Sequence, residues 1–215
     1  MLKTKTKRYK KSGRAEDLLT EALEVLNHGQ VIAFPTETFY GLGADALNER
    51  AVARVAALKG RDPNSPLPVI VADEVMLRTV VRTIPPLARR LMDQFWPGPL
   101  TLVLPGNPKL AKALLNCNGG IGVRISSHPV AQRLVLELGR PITATSANPS
   151  GQVPARSWQA VLAYFAARVG VIIDGGKLKG KKGSTVVEVS GDEIRVIREG
   201  GIKAAALHKV VRAVS

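Results

Sequence analysis

Apolar residues recur along the chain in two rhythms, a helical one of three to four and short unbroken runs bounded by Gly, Pro or polar residues. Leu18, Leu19, Ala22, Leu23 and Leu26 fall on one face of a helix predicted over 15–28 and stopped by Gly29. The run VIAF at 31–34 reads as a strand that leads into PTETFYGLG. Asn48 is placed to cap a helix carrying Val52, Val55 and Leu58 and ending at Gly60. LPVIVA at 67–72 reads as a buried strand, Pro85-Pro86 open a helix reaching Phe95, and WPGP is a rigid turn before the strand LTLVL. Then follow GIGVRI (strand), PVAQRLVLEL (helix), PITATS (strand) and SWQAVLAYFAARV (helix). VGVIID, STVVEV and EIRVIRE are strands, and Ser190-Gly191-Asp192 predicts an antiparallel hairpin between the last two. The expectation is a single α/β domain, a mixed β-sheet with helices packed on it, without internal repeat or dividing linker.

Composition narrows the class. The 215 residues are 45% apolar and 22% charged, enough for a buried core, and wholesale disorder is excluded. No apolar stretch approaches the roughly 18–20 residues of a membrane helix, and the N-terminus lacks the apolar segment of a secretory signal. A cytoplasmic protein without membrane contact is expected. Cys117 is the only cysteine, which rules out an intramolecular disulfide and reads as a buried or idle thiol. The formal charge of +14 is unevenly spread. Residues 1–14 hold seven basic side chains and no acid, leaving 24 basic against 17 acidic in the rest. This divides the chain into a flexible basic arm, 1–14, and a folded domain, 15–215. The balance suits phosphate-bearing partners, nucleic acid or nucleotide, without choosing between them.

Familiar nucleotide signatures are missing. The nearest approach to a Walker A loop, Gly175 to Lys181, has Lys182 where a hydroxyl is required, and no GxGxxG opens a helix. His28, His128 and His208 are far apart and read as surface or capping residues. No GxSxG elbow offers a nucleophile. What remains is polar chemistry at predicted strand ends, where ligand sites of α/β sheets gather. Thr36-Glu37-Thr38-Phe39-Tyr40-Gly41 brings hydroxyls and close-approach glycine directly after a strand, or is a plain turn. Lys59-Gly60-Arg61 either completes a helix C-terminus or clamps an anion with an ammonium and a forked guanidinium. Thr143 to Gly151 ends a strand in hydroxyls and Asn148, as a local turn or as donors to a phosphate or carboxylate. Arg124 in an apolar strand needs an anion or carboxylate partner if its head is buried. Ser184 opens a strand and Arg198 ends one.

PTETFYGLG, KGR followed by SPL, WPGPLTLVL, GVRISSHP, TSANPSG, STVVEV and the closing IREGG stand in the order of the YrdC-like family. The chain resembles that family over about residues 15–202, and the ordered set is specific although each piece alone is weak. The resemblance implies a twisted open mixed sheet with a basic concave cleft. It also implies an ATP-dependent nucleotidyltransferase that makes L-threonylcarbamoyladenylate from L-threonine, bicarbonate or CO2 and ATP, releasing pyrophosphate. The product would serve N6-threonylcarbamoylation (t6A) of adenosine 37 in ANN-decoding tRNAs, through a downstream threonylcarbamoyl-transferase machinery. A tRNA or RNA contact through the basic surface belongs to the same picture. By the same resemblance Lys59, Arg61, Ser146 and Asn148 are catalytic. Arg61, Ser65, Ser146 and Arg198 bind ATP, and Thr38, Arg124 and Ser184 bind threonine. No metal ligand is implied in the chain, since Mg²⁺ is held mainly through the phosphates of ATP.

The sequence departs from the pattern at Ile70, where many relatives carry His, at Ser65, where Lys or Asn is frequent, and at Asp62 and Glu199, where Pro is frequent. It resembles the short form of the family, without the additional C-terminal domain of longer members. Chemistry in which a carbamate attacks the α-phosphorus of ATP brings two anions together and needs cations and geometry more than a nucleophile. Two other functions fit less of the sequence. An RNA-binding module is motivated by the charge, but aromatic content is only 4% and no basic–aromatic interleaving appears. A paralogue forming a different carbamoyl-adenylate would keep the Lys-x-Arg and Ser-x-Asn pairs.

Overall fold

Short apolar strands bounded by polar turns must pair with distant partners to bury both faces, and here they do so in two mixed sheets. The computed structural model describes residues 5–8, 14–60 and 65–212. The elements run β1 (Lys5–Arg8), α1 (Arg14–Asn27), β2 (Ile32–Pro35), β3 (Tyr40–Gly43), α2 (Glu49–Lys59), β4 (Val69–Ile70), α3 (Glu74–Val80), α4 (Pro86–Phe95) and β5 (Leu100–Pro105). They continue with β6 (Gly120–Arg124), α5 (Pro129–Leu138), β7 (Ile142–Thr143), β8 (Thr145–Ser146), α6 (Trp158–Phe165), β9 (Val171–Asp174), β10 (Thr185–Ser190), β11 (Glu193–Arg198) and α7 (Ala204–Arg212).

The first sheet has the order β1-β9-β2-β3-β8, the second β11-β10-β5-β6-β4-β7, and each mixes parallel and antiparallel pairs. The single sheet read from the sequence is thus divided. The segment PITATS is where this happens: Ile142–Thr143 pairs with Val69–Ile70 in the second sheet, and Thr145–Ser146 pairs with Gly41–Leu42 in the first. Thr143 ties the crossing down, its hydroxyl donating to the Leu42 carbonyl and accepting from the Ala44 amide.

Two further differences have local causes. PTETFYGLG is not a turn into a helix but a hairpin, with Phe34 paired to Gly41 and Ile32 to Gly43. A Cβ at Gly43 would sit 2.7 Å from the Phe34 ring, so glycine lets the aromatic lie flat across its partner strand. Within the basic segment assigned to a flexible arm, Lys5–Arg8 pairs in parallel with Val171–Asp174 and extends the first sheet at its β9 edge. The hairpin expected through Ser190-Gly191-Asp192 is present, with Gly191 at φ 57°.

Helices cover the sheets as their apolar stripes dictate. Leu19, Ala22 and Leu26 of α1 pack with Val130, Leu134 and Val135 of α5 against Phe34, Ile173 and Ile70. A larger core joins α2, α4 and α6 to both sheets through Val52, Val55, Leu87, Leu91, Val161 and Phe165. Asn48 caps α2 as expected, accepting from the Ala51 amide, and Gly60 closes it in the left-handed region.

Candidate functional site

Segments far apart in the chain converge on one cavity of about 680 Å³ at the crossing between the sheets. Thr38, Ser65, Arg124, Ser146, Ser184 and Arg198 all line it, and ligand sites typically enclose roughly 300–1,000 Å³. These are residues 38 to 198 of the chain, so the fold gathers what the sequence only enumerates. Arg61 and Asp62 lie outside the described residues.

Hydroxyl polarity on the lining follows from its hydrogen bonds. Thr36 Oγ1 donates to the Phe39 carbonyl at 2.7 Å and lies 3.0 Å from Thr38 Oγ1. Thr38 therefore donates to Thr36, and its remaining lone pairs face outward to accept. Ser184 Oγ accepts from Thr101 Oγ1 at 2.8 Å and from Arg198 Nη2 at 3.4 Å, which leaves its own proton available to donate to a ligand. Arg198 also donates to the Ser184 carbonyl from Nε and Nη2. One wall thus offers an acceptor and another a donor beside a guanidinium.

Arg124 is the buried cation of the site, at the end of β6. Its partner is Glu37: Nη1 meets Glu37 Oε1, and the other carboxylate oxygen is held by the Ser126 hydroxyl. The side chains of the pair are 6% and 15% exposed. Burial pushes the Arg124 guanidinium below its ordinary value, Glu37 opposes that, and the Arg198 charge adds to the downward push. Both guanidinium groups belong to residues that line the same cavity. Sequence reasoning required an anion or a carboxylate for Arg124, and the protein itself supplies the carboxylate, 87 positions away.

Lys59 and Asn148 stand behind the lining. Lys59 is 4% exposed and its Nζ donates to the carbonyls of Ser146 (2.8 Å) and Asn148 (2.6 Å) and to Asn148 Oδ1 (3.3 Å). The Asn148 amide donates onward to the carbonyls of Pro149 and Gln152, and the Ser150 amide closes back on the Lys59 carbonyl. The Lys-x-Arg and Ser-x-Asn pairs singled out in the sequence therefore meet through Lys59, whose ammonium shapes the turn presenting Ser146.

Other residues singled out in the sequence stand at or near the site. Tyr40, deep in the first sheet, accepts from the Gly175 amide and donates to the Gly176 carbonyl, and burial raises its phenol to about 12. Cys117 is exposed rather than buried and lies on the lining between Asn116 and Asn118. Ile70, by contrast, is fully buried and belongs to the α1–α5 core. His128 caps α5 through Nδ1 and His28 bonds the Glu24 carbonyl, as read. Among the described residues no group of three His, Cys, Asp or Glu could hold a metal, and no helix is long and apolar enough to cross a membrane.

The Sua5_yciO_yrdC family model, described as telomere recombination, matches residues 24–200. The chain belongs to the Sua5/YciO/YrdC family. It is 38% identical over 186 residues to the threonylcarbamoyl-AMP synthase of Pyrococcus abyssi, covering 86% of this chain and 55% of that protein. It is 34% identical over 184 residues to the threonylcarbamoyl-AMP synthase of Vibrio cholerae, covering 85% and 97%. The crystal structure of P. abyssi Sua5 complexed with L-threonine superposes with a TM-score of 0.88 at 35% identity, covering 96% of this chain and 60% of that one. The chain thus spans a little over half the length of the P. abyssi family member.

Proposed function

We propose that this Sua5/YciO/YrdC domain joins L-threonine, bicarbonate or CO2 and ATP into L-threonylcarbamoyladenylate, with pyrophosphate and water as the other products. The observation that carries the reading is the convergence of Thr38, Ser65, Arg124, Ser146, Ser184 and Arg198 on one cavity. Threonine binds with its carboxylate toward Arg124 and with its other polar groups toward Thr38 and Ser184. Its deprotonated amine adds to CO2, forming an N–C bond and a carbamate. A carbamate oxygen then attacks the α-phosphorus of ATP, the bond to the β-phosphate bridging oxygen breaks, and pyrophosphate leaves in line.

The protein's contribution is orientation and charge. Arg198, with Arg61, neutralises the triphosphate, while Ser65 and Ser146 hold it, and Lys59 and Asn148 act by fixing the position of Ser146. Glu199 is a carboxylate on the lining, but it is committed to Lys203 and to the Ala204 amide. The residues present therefore fit a Mg²⁺ ion carried on the ATP phosphates, where it would offset their charge. The product is an activated carbamoyl donor for a transferase acting on tRNA.

Incubation with ATP, Mg²⁺, bicarbonate and each amino acid in turn, followed by mass spectrometry of the adenylate, tests the reading. The expected product contains threonine. Pyrophosphate release that is indifferent to threonine overturns it, and a product built on another amino acid assigns the domain to a different carbamoyl-adenylate.

A further inference from the structure

The Glu37–Arg124 pair is the least exposed ion pair among the described residues, and the proposed reaction does not itself use Glu37. The carboxylate lies one residue from Thr38 in the β2–β3 turn, yet it is absent from the lining. Both its oxygens are occupied, one by Arg124 Nη1 and the other by the Ser126 hydroxyl. Ser126, itself fully buried, accepts in turn from the His128 amide at the N-terminal cap of α5. The start of α5 thus fixes Ser126, Ser126 fixes Glu37, and Glu37 holds the Nη1 end of the Arg124 guanidinium. One N–H of Nη1 is committed to that contact. Arg124 lines the cavity, and Glu37 is its one side-chain hydrogen-bond partner among the described residues, so its remaining N–H groups are available to a ligand there.

We propose that Glu37 is the positioning residue that aims Arg124, holding its free N–H edge at the angle that receives the carboxylate of the amino-acid substrate. The pairing is suited to this task, because a charge-assisted hydrogen bond at Nη1 restricts rotation of the planar guanidinium and so sets the direction of its remaining N–H groups. Ser126 makes the carboxylate itself immobile. The inference rests on the reading of the cavity as an amino-acid and nucleotide site.

Steady-state kinetics of Glu37→Gln, Glu37→Asp and Ser126→Ala against wild type test it, with threonine and ATP varied separately. In Glu37→Gln the KM for threonine rises about 10- to 100-fold while the KM for ATP stays unchanged. Glu37→Asp recovers part of the loss. Ser126→Ala, which keeps the ion pair and loses only its tether, shows a smaller rise and guards against a Glu37→Gln variant that does not fold. A threonine KM that is unchanged or lower in Glu37→Gln overturns the proposal, as does an equal loss toward both substrates. A lower value would mean that Glu37 merely repels the substrate carboxylate. Wild-type enzyme that forms no threonine-dependent adenylate refutes the underlying reading instead, so the two failures are separable.

Discussion

Replacing Lys59 with methionine separates the two roles a lysine could have here. Methionine keeps the length of the side chain and removes the ammonium. Its three acceptors then differ in what they lose. The Ser146 carbonyl still accepts from the Asn148 amide, whereas the Asn148 carbonyl and Oδ1 have only Lys59 among the hydrogen bonds described. A buried acceptor left without a partner costs about 1–3 kcal/mol, and two of them, partly relieved by no longer burying an ammonium, give a net loss of about 2–4 kcal/mol. For a domain of this size that lowers the Tm by roughly 5–15 °C. Scanning calorimetry measures the shift, and equilibrium binding of a non-hydrolysable ATP analogue measures the displacement of Ser146 by the loosened turn. Lys59→Arg does not rescue, since a planar fork cannot place its donors on three acceptors that converge on a point. A Lys59→Met variant with wild-type Tm and lost turnover would refute the reasoning and place the ammonium on the substrate.

Three other outcomes follow from local geometry. A Cβ at Gly200 would lie inside van der Waals contact of the Gly183 carbonyl and the Ser184 backbone, so Gly200→Ala displaces Ser184 and weakens threonine binding by at least about tenfold; unchanged affinity by calorimetric titration contradicts this. Burial holds His128 below its ordinary value of 6.5, with Glu37 opposing, so the neutral imidazole stabilises the fold above about pH 6.5 and that contribution disappears as pH falls through the lowered folded value. His128→Asn keeps a capping side chain and removes this titration, so its urea midpoint falls less than wild type between pH 7 and 5, and equal losses refute the assignment. Cys117 is exposed on the lining, so alkylation by N-ethylmaleimide slows when ATP and threonine are bound together, and labelling indifferent to both places the ligands elsewhere.

What could be read in the sequence is what local periodicity and caps determine. The helices α1, α2, α4 and α5 lie within a residue or two of their expected bounds, because each has a continuous apolar stripe and an Asn, Pro or Gly at an end. β4 lies inside the strand read at 67–72, and β7 and β8 inside the one read over PITATS. Their bounds were not legible, since two residues are too few to show a period, and β7 and β8 separate only because their partners belong to different sheets. α7 carries one buried residue, Leu207, so its pattern is weak. The lining residues were accessible through family resemblance, and so were Lys59 and Asn148, while the support given by Glu37 was not. Glu37 reads as a turn residue between two threonines, and nothing local connects it with Arg124. Lys59 did carry a signal, since it continues the buried stripe of Val52 and Val55 at helical spacing. A lysine at that phase of a helix must either snorkel or find acceptors inside, and it finds them in the 146–148 turn.

The cavity is thus built in two layers, and the layering follows from where it lies. Between β7 and β8 the chain leaves one sheet for the other, and strand ends leave backbone and side-chain polar groups that the ladders do not pair. Each must be satisfied by something brought from elsewhere: the 146–148 carbonyls by Lys59 of α2, Arg124 by Glu37 of the β2–β3 turn, the Gly200 and Ile202 amides by Thr185 Oγ1 at the start of β10. These supports hold the lining groups in fixed orientations without touching the space they surround. Substitutions in the two layers should therefore have opposite signatures. Loss of a lining hydroxyl weakens binding at little cost in stability, while loss of a support lowers stability and misaims the groups in front of it. That asymmetry separates a preorganised site from a cleft whose polar residues are merely exposed, and it can be read from Tm and ligand affinity measured on the same variants.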